Sequence, residues 1–237
     1  MPDSNQLSWL TEVVIAVGAL GTAAYGLADA TKLFWGGLSN PGFGKIEKAI
    51  KLLYPGDHDK KDKIRALAYG SVRETLRANW LNGMPLADQR AIAKSIIKLH
   101  MNAENAPKLA EKTGVNSTVL AEVATKIKQG TDLTPQEVDE LGRFDLILTT
   151  TLDAAYQRAD QIYRNACKLA ATVISVALAL AGGYALDPKN FWHFGGTFGE
   201  ALLVGLLATP IAPVAKDLST AIQTGAKAMQ AVRKFGR

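Results

Sequence analysis

Few residue patterns in this chain match a known type of catalytic or metal site. The one cysteine, Cys167, excludes an intrachain disulfide and a cysteine-based metal site, and the three histidines (His58, His100, His193) are far apart. The chain contains no GxxxxGK[ST] phosphate loop, no HExxH zinc motif and no GxSxG nucleophile elbow. We therefore expect no catalysis, no cofactor and no bound metal ion.

Acidic residues within apolar segments are the remaining chemical candidates. Glu12 and Glu200 each lie about one turn or less inside an apolar segment, and Asp29 lies near the end of the first segment. Carboxylates inside a membrane-spanning helix are candidates for handling protons or ions. The alternative, which we favour, is that all three lie close enough to a segment end to reach water or a partner.

Three segments are apolar enough to suggest membrane spans, namely residues 10–27, 169–186 and 201–215. A bilayer core of about 30 Å needs roughly 20 mostly apolar residues in a helix. The first two segments reach that length, and the third does so if residues 195–200 are included. The alternative is a soluble bundle with a very apolar core. However, the second segment carries only Thr172 and Ser175 as polar side chains before Tyr184, and a soluble helix usually keeps a polar stripe.

Aromatic and basic residues flank these segments as they do at membrane interfaces. Trp9, Trp35 and Trp192 lie at segment ends, and Tyr163, Arg164 and Lys168 precede the second segment. The region after the first segment and the chain after the third are rich in lysine and arginine, whereas residues 187–196 hold only Lys189. The positive-inside rule thus predicts that the N-terminus and the 187–196 connection are outside, with the central region and the C-terminus in the cytoplasm.

Small residues recur within the apolar segments. Gly18, Thr22 and Gly26 are spaced by four on the first, and Gly195 and Gly199 lead into the third. Such stripes let helices approach closely in lipid. They predict a tight three-helix cluster or an oligomer, and Pro210 and Pro213 should kink or end the third helix.

The central region is polar and helical in pattern. We expect helices at 62–80, 85–101, 106–113 and 117–129, preceded by an amphipathic helix near residues 43–53. The face formed by Phe43, Ile46, Ile50 and Leu53 could rest on the bilayer or pack on neighbouring helices. No segment alternates with a period of two, so we expect essentially no sheet.

A long helix should begin at the sequence TPQE. Thr134 can cap it, Pro135 suits its first position, and Glu137 completes a capping box. A helix from Pro135 to about Ala181 would be on the order of 70 Å long. Its first part has a heptad pattern with one polar member, which could pack within the chain or on another copy: Val138, Leu141, Asp145, Leu148, Leu152, Ala155, Ala159 and Ile162.

The C-terminal third resembles a group of bacterial inner-membrane proteins without an established activity. These have an N-terminal span, a polar helical middle and a C-terminal transmembrane hairpin. The similar positions, with a weaker match at residues 24–27, are Phe144, Leu152, Asp153, Tyr163, Arg164, Ala185, Leu186, Asp187, Ala212, Pro213, Asp217 and Leu218. The resemblance implies a bacterial inner-membrane location and no particular activity.

Together these features predict an all-α protein with three transmembrane helices and a cytoplasmic helical domain, joined by one long helix. We expect a first span within residues 1–38, a helical domain at 39–165, a hairpin at 166–217 and a basic tail at 218–237. The expected role is a non-enzymatic anchor or interaction component that binds the bilayer and either its own copies or another protein. The alternative is an oligomeric pore or membrane effector. The predicted topology largely explains the net charge of +5, so no nucleic-acid partner is expected.

Overall fold

The computed structural model describes residues 4–31, 36–55, 68–192 and 196–235, and in these ranges the chain is helical with no strand. A short 3-10 helix at Gly37–Ser39 precedes the second of the α-helices. Three helices are long and apolar enough to cross a membrane: α1, α7 and the first part of α8. The α-helices are α1 Ser4–Ala30, α2 Asn40–Leu53, α3 Tyr69–Leu81, α4 Leu86–Leu99, α5 Ala106–Thr113, α6 Ser117–Gln129, α7 Pro135–Leu186 and α8 Thr197–Phe235.

The chain divides into two compact units. Unit 1 comprises Met1–Phe34 and Arg164–Arg237, and unit 2 comprises Trp35–Tyr163. Helix α7 contributes its first part to unit 2 and the rest to unit 1. Unit 1 therefore brings together the segments that the sequence separates into a first span, a hairpin and a C-terminal tail.

Unit 2 has a core of large apolar side chains. On α2, the residues Phe43, Ile46, Ile50 and Leu53 recur at helical spacing and are all buried in this core. The apolar face of α2 is thus occupied inside unit 2, which contradicts the possibility that it rests on a bilayer. Val72, Leu76 and Trp80 of α3 and Ile97 of α4 are buried in the same core. Residues 62–67, the start of the helix expected at 62–80, lie outside the described residues.

The first part of α7 packs on the helices of its own unit. Phe144, Leu148, Leu152, Tyr156 and Ala159 are buried in the core, so the buried face follows 3.6-residue spacing rather than the strict heptad. Val138, the first member of the heptad pattern, is exposed. Most of the heptad positions therefore pack on helices of the same unit. Phe144 and Tyr156 are also buried there, although the heptad pattern does not include them.

Asp145 is the polar member of that pattern, and two cations of α4 balance it. Lys94 Nζ donates to Asp145 Oδ2 at 2.5 Å, and Lys98 forms an ion pair with Oδ1. Burial alone would raise the pKa of Asp145, but the hydrogen bonds and charges of Lys94 and Lys98 outweigh it and hold the pKa below its ordinary value. The carboxylate is therefore a fixed contact between α4 and α7.

The start of α7 confirms the capping box. Thr134 N donates to Glu137 Oε2 at 2.7 Å, and Glu137 N donates to Thr134 Oγ1 at 3.4 Å. The ion pair with Lys126 and the bond from Thr134 lower the pKa of Glu137. The bounds of α5 and α6 are also as predicted, and α6 ends before Gly130, which has φ +67°.

The two long C-terminal helices extend beyond their predicted ends. Helix α7 passes through Gly182 and Gly183 to Leu186, and α8 continues through Pro210 and Pro213 to Phe235. A proline removes one helical hydrogen bond, but neighbouring helices in a packed cluster can keep the chain helical. The basic tail predicted at 218–237 is therefore part of a helix as far as Phe235.

Gly42 marks a close approach of α2 to α7. A Cβ at Gly42 would lie 2.7 Å from Ala159 O and 2.9 Å from Trp80 Cζ2, whereas a Cβ at Gly44, two residues on, meets nothing within 4 Å. We expect Gly42→Ala to lower the free energy of unfolding of unit 2 by about 1–3 kcal/mol through overpacking. Gly44→Ala should leave it unchanged or raise it by up to about 1 kcal/mol.

Hydrogen exchange of unit 2 amides in the full-length protein measures both effects. Equal protection of the α2 and α7 amides in the two variants would contradict the close approach at Gly42.

Candidate functional site

The contact between α1 and α8 rests on two glycines that leave no room for a side chain. A Cβ built on Gly18 would lie 2.0 Å from Ala215 Cβ, and one on Gly21 would lie 2.1 Å from Ala208 O. Real Cβ atoms do not approach so closely, so the two backbones touch there. Farther along α1, Ala24 and Ala28 are also fully buried. Close backbone approach through small residues is typical of helix pairs in membranes.

The contact between α7 and α8 is equally close and contains a polar centre. A Cβ on Gly205 would lie 2.5 Å from Val176 Cα. Beside it, the buried Ser175 Oγ donates to Gly205 O at 2.7 Å and lies 3.4 Å from Thr209 Oγ1. Interhelical hydrogen bonds of this kind contribute about 0.6 kcal/mol on average in membrane proteins. They fix the register of α7 against α8.

Large and small side chains are distributed in unit 1 in the opposite way to unit 2. The buried positions hold small residues, and the exposed positions of the same helices hold large aliphatic ones. The buried set includes Gly18, Gly21, Ala24, Ala28, Ala171, Ser175, Ala201, Gly205, Ala208, Thr209, Ala212 and Ala215, and Phe191 at the α7–α8 connection is a large buried exception. The exposed set includes Val13, Ile15, Leu27, Leu169, Val173, Leu178, Leu203, Val204, Leu206, Leu207 and Val214. The unit therefore presents an apolar surface of its own.

Of the predicted small residues on α1, the structure places Gly18 in the helix contact and the others outside it. Thr22 is exposed, and its hydroxyl donates to Gly18 O at 2.9 Å within the same helix. A Cβ at Gly26 would meet nothing within 4 Å. The buried positions instead follow steps of three and four from Gly18 through Gly21, a pattern visible in the sequence as two glycines followed by two alanines, Ala24 and Ala28. On α8, Gly199 is half-buried, and Gly195 lies outside the described residues.

The three acidic candidates do not all come together. Glu12, Asp29 and Glu200 are all exposed on unit 1, and the first two are separated by about 25 Å of helix α1 at 1.5 Å per residue. No group of three or more histidine, cysteine, aspartate or glutamate residues that could hold a metal ion occurs among the described residues. Glu12 and Asp29 thus lie near opposite ends of α1 and do not form one acidic site.

The aromatic anchors lie in two different settings. Trp192 is exposed and stacks on Phe198 with ring centres 6.2 Å apart, and Phe191 contacts both Trp192 and Tyr184 at the α7–α8 connection. This aromatic cluster has the composition of an interface anchor.

The remaining predicted anchors differ in their surroundings. Trp9, Arg164 and Lys168 are exposed. Tyr163 packs edge-on against Trp80 at 6.2 Å and therefore belongs to unit 2. Trp35 lies outside the described residues.

The helix contacts also define directions within unit 1. Gly18 on α1 faces Ala215 on α8, whereas Gly21, three residues later on α1, faces Ala212 and Ala208. Residue numbers therefore rise along α1 while they fall along α8, so the two helices are antiparallel. The start of α1 therefore shares an end of the unit with Ala215. The predicted topology, with the N-terminus outside and the C-terminus in the cytoplasm, would need these helices to be parallel if both cross the membrane. The positive-inside rule could not predict this contact, because it counts the charges that flank each segment and says nothing about which helices pack together.

Comparison of the chain with protein-family models, with curated proteins and with solved structures found no match. The interpretation of the two units therefore rests on the packing, charge and exposure of this chain's own residues.

The glycine contacts of unit 1 can be tested with matched pairs on the same helices. Gly21→Ala and Gly205→Ala should each destabilise the cluster by about 1–3 kcal/mol, because the added methyl overlaps the neighbouring backbone. Gly26→Ala and Gly182→Ala, whose Cβ atoms would meet nothing within 4 Å, should have little effect. Unfolding of the full-length protein in mixed micelles of increasing denaturing detergent measures the difference, and similar midpoints for all four variants would refute the contacts.

Proposed function

We propose that this chain is an integral α-helical membrane protein in which unit 1 lies in the bilayer and anchors unit 2, a helical interaction domain. In this proposal the protein is a non-enzymatic anchor or scaffold component. Unit 2 supplies the surface for binding, and unit 1 supplies the attachment.

The observation that carries the proposal is the inverted distribution of side chains in unit 1. In water, folding is driven by burying large apolar side chains, so small residues inside and leucines outside would forfeit most of the stabilisation. In lipid that driving force is absent, and helices associate through close packing and interhelical hydrogen bonds. Only 22%, 11% and 33% of the apolar windows of α1, α7 and α8 are buried, which leaves most of each helix for lipid contact.

The continuity of α7 supports a link between the two units. It is one helix of 52 residues, whose first part packs in the core of unit 2 and whose last part packs through Ser175 in unit 1. We propose that it runs as a stalk into the second span. A helix of this kind transmits a displacement without needing a hinge.

For topology, we propose that the 187–196 connection is outside and that unit 2 and Lys216 are in the cytoplasm. The basic residues of unit 2 and the scarcity of cations near Lys189 support this assignment. Charge favours an outside N-terminus, and a single crossing by α1 into a cytoplasmic unit 2 requires it; the antiparallel contact of α1 with α8 opposes that crossing. The resemblance noted in the C-terminal third supports a bacterial inner membrane as the location.

An oligomeric pore or effector controlled by unit 2 is the second candidate, and the exposed carboxylates favour it. Glu12 and Glu200 are exposed on unit 1, where a lone unit would bring them towards lipid. A second copy packed on that surface would shield them. This candidate requires a defined oligomer in a lipid nanodisc, and a monomer there would eliminate it.

The membrane assignment is tested by one arginine placed in each unit. Leu207 on α8 is 51% exposed and Leu146 on α7 in unit 2 is 66% exposed, so neither substitution disturbs a core. Leu207→Arg should reduce the fraction that stays in membranes after a carbonate wash, because an arginine near a span centre costs about 2.5–3.5 kcal/mol on insertion. Leu146→Arg should behave like the unsubstituted protein.

Two outcomes of this fractionation would contradict the proposal. One is release of the unsubstituted protein by carbonate without detergent. The other is identical membrane retention of the two arginine variants, which would place Leu207 in water.

A further inference from the structure

Unit 2 contains a cleft whose described lining is basic and free of carboxylates. It has a volume of about 850 Å³ and lies between α2, α5 and the first part of α7. Its charged lining residues are Lys45, Lys48, Lys51, Lys112 and Arg158. This volume is within the range of about 300–1,000 Å³ found for ligand sites.

The cleft cations differ from other cations of unit 2 in their pairing. Arg73, Arg90, Lys94, Lys98 and Lys126 each form an ion pair with a carboxylate of the unit. Among the described residues, Lys45, Lys48, Lys51 and Arg158 form none. Their positive potential is therefore not cancelled from within the described part of the domain, and it remains available to an external anion.

Local structure fixes where these cations stand. Lys45, Lys48 and Leu52 are spaced by three and four, so they share the outward face of α2, whose opposite face is buried in the core. Lys112 Nζ donates to the carbonyl of Tyr54 at 2.9 Å, which ties α5 to the end of α2. The frame of the cleft is thus part of the unit 2 core.

The floor of the cleft is apolar. Leu52 is 55% exposed there, and Ala49, Ala154 and Ala155 line the space beside it. A cluster of cations around an apolar floor suits a ligand that carries both a compact negative charge and an apolar portion. A simple inorganic anion would leave the floor uncovered.

We propose that this cleft binds a phosphate-bearing amphiphile, with the phosphate held by Lys45, Lys48 and Arg158 and the apolar portion lying on Leu52. Lysine and arginine are the usual phosphate ligands of proteins, arginine by paired donors and lysine as a point charge. The phosphate ester can come from the headgroup of an anionic phospholipid or from a soluble phosphorylated metabolite. Basic pockets of membrane proteins bind lipid headgroups by this chemistry.

The experiment uses the full-length protein in nanodiscs of phosphatidylcholine and follows hydrogen exchange of α2 and of residues 150–158. One arm adds phosphatidylglycerol to the bilayer in steps, and a second adds soluble glycerol phosphate with a short acyl chain. We expect protection of both segments to rise with the anionic probe and to weaken as salt is added.

Matched variants distinguish binding in the cleft from non-specific attraction of the anionic probe to the basic surface of unit 2. Lys48→Gln and Arg158→Gln should each weaken the probe's apparent affinity about five- to tenfold, since each removes one charge-assisted hydrogen bond. Lys128→Gln and Arg143→Gln remove exposed cations of unit 2 that do not line the cleft, and they should leave the affinity unchanged.

Each result decides the proposal. Protection with phosphatidylglycerol alone identifies a bilayer lipid as the ligand, and protection with the soluble ester identifies a metabolite; both support the cleft. Absence of protection with either probe, or equal weakening by all four variants, would overturn it. Neither negative result affects the membrane assignment of unit 1, because the nanodisc-embedded protein is the starting material in both arms.

Discussion

The absence of side chains at Gly18, Gly21 and Gly205 is the constraint on which unit 1 depends. Each glycine faces the backbone or an alanine of a neighbouring helix at a distance that no Cβ could occupy. Three helices packed this closely cannot hold leucines between them, so their large side chains must point outward. An outward aliphatic surface is favoured where the solvent is apolar, and the glycine contacts thereby support the proposal that unit 1 lies in a bilayer.

Helix α7 obeys two packing rules in one continuous element. Between Phe144 and Ala159 it buries large side chains, and its charged neighbours pair with Asp145 and Asp153 as they do on a water-facing domain. From Ala171 onward it buries alanine and serine and exposes Leu169 and Val173. The change in which side chains are buried occurs within a few turns, at the division between the units. This change supports the proposal that the helix runs from a water-facing domain into a membrane span.

The sequence was sufficient to predict the helices but not to predict which of their faces are in contact. Hydrophobic spacing and capping chemistry predicted α5, α6 and the start of α7, because these depend on neighbouring residues such as Thr134 and Glu137. The choice between Gly21 and Gly26 could not be predicted, since both are small and only the crossing of α1 over α8 decides which is buried. For the same reason the cleft was missed, because Lys48 and Arg158 are 110 positions apart and meet only in the folded unit.

The most direct test of the account is the solvent that the outward residues of unit 1 contact. Spin labels placed singly at Leu203, Leu207 and Val173 of the full-length protein in bilayers, with Cys167 replaced by serine, report collision with oxygen and with a water-soluble nickel complex. We expect high oxygen and low nickel accessibility at these positions, and the reverse at Leu146 in unit 2. High nickel accessibility at Leu203, Leu207 and Val173 would contradict the account, because it would place the outward face of unit 1 in water.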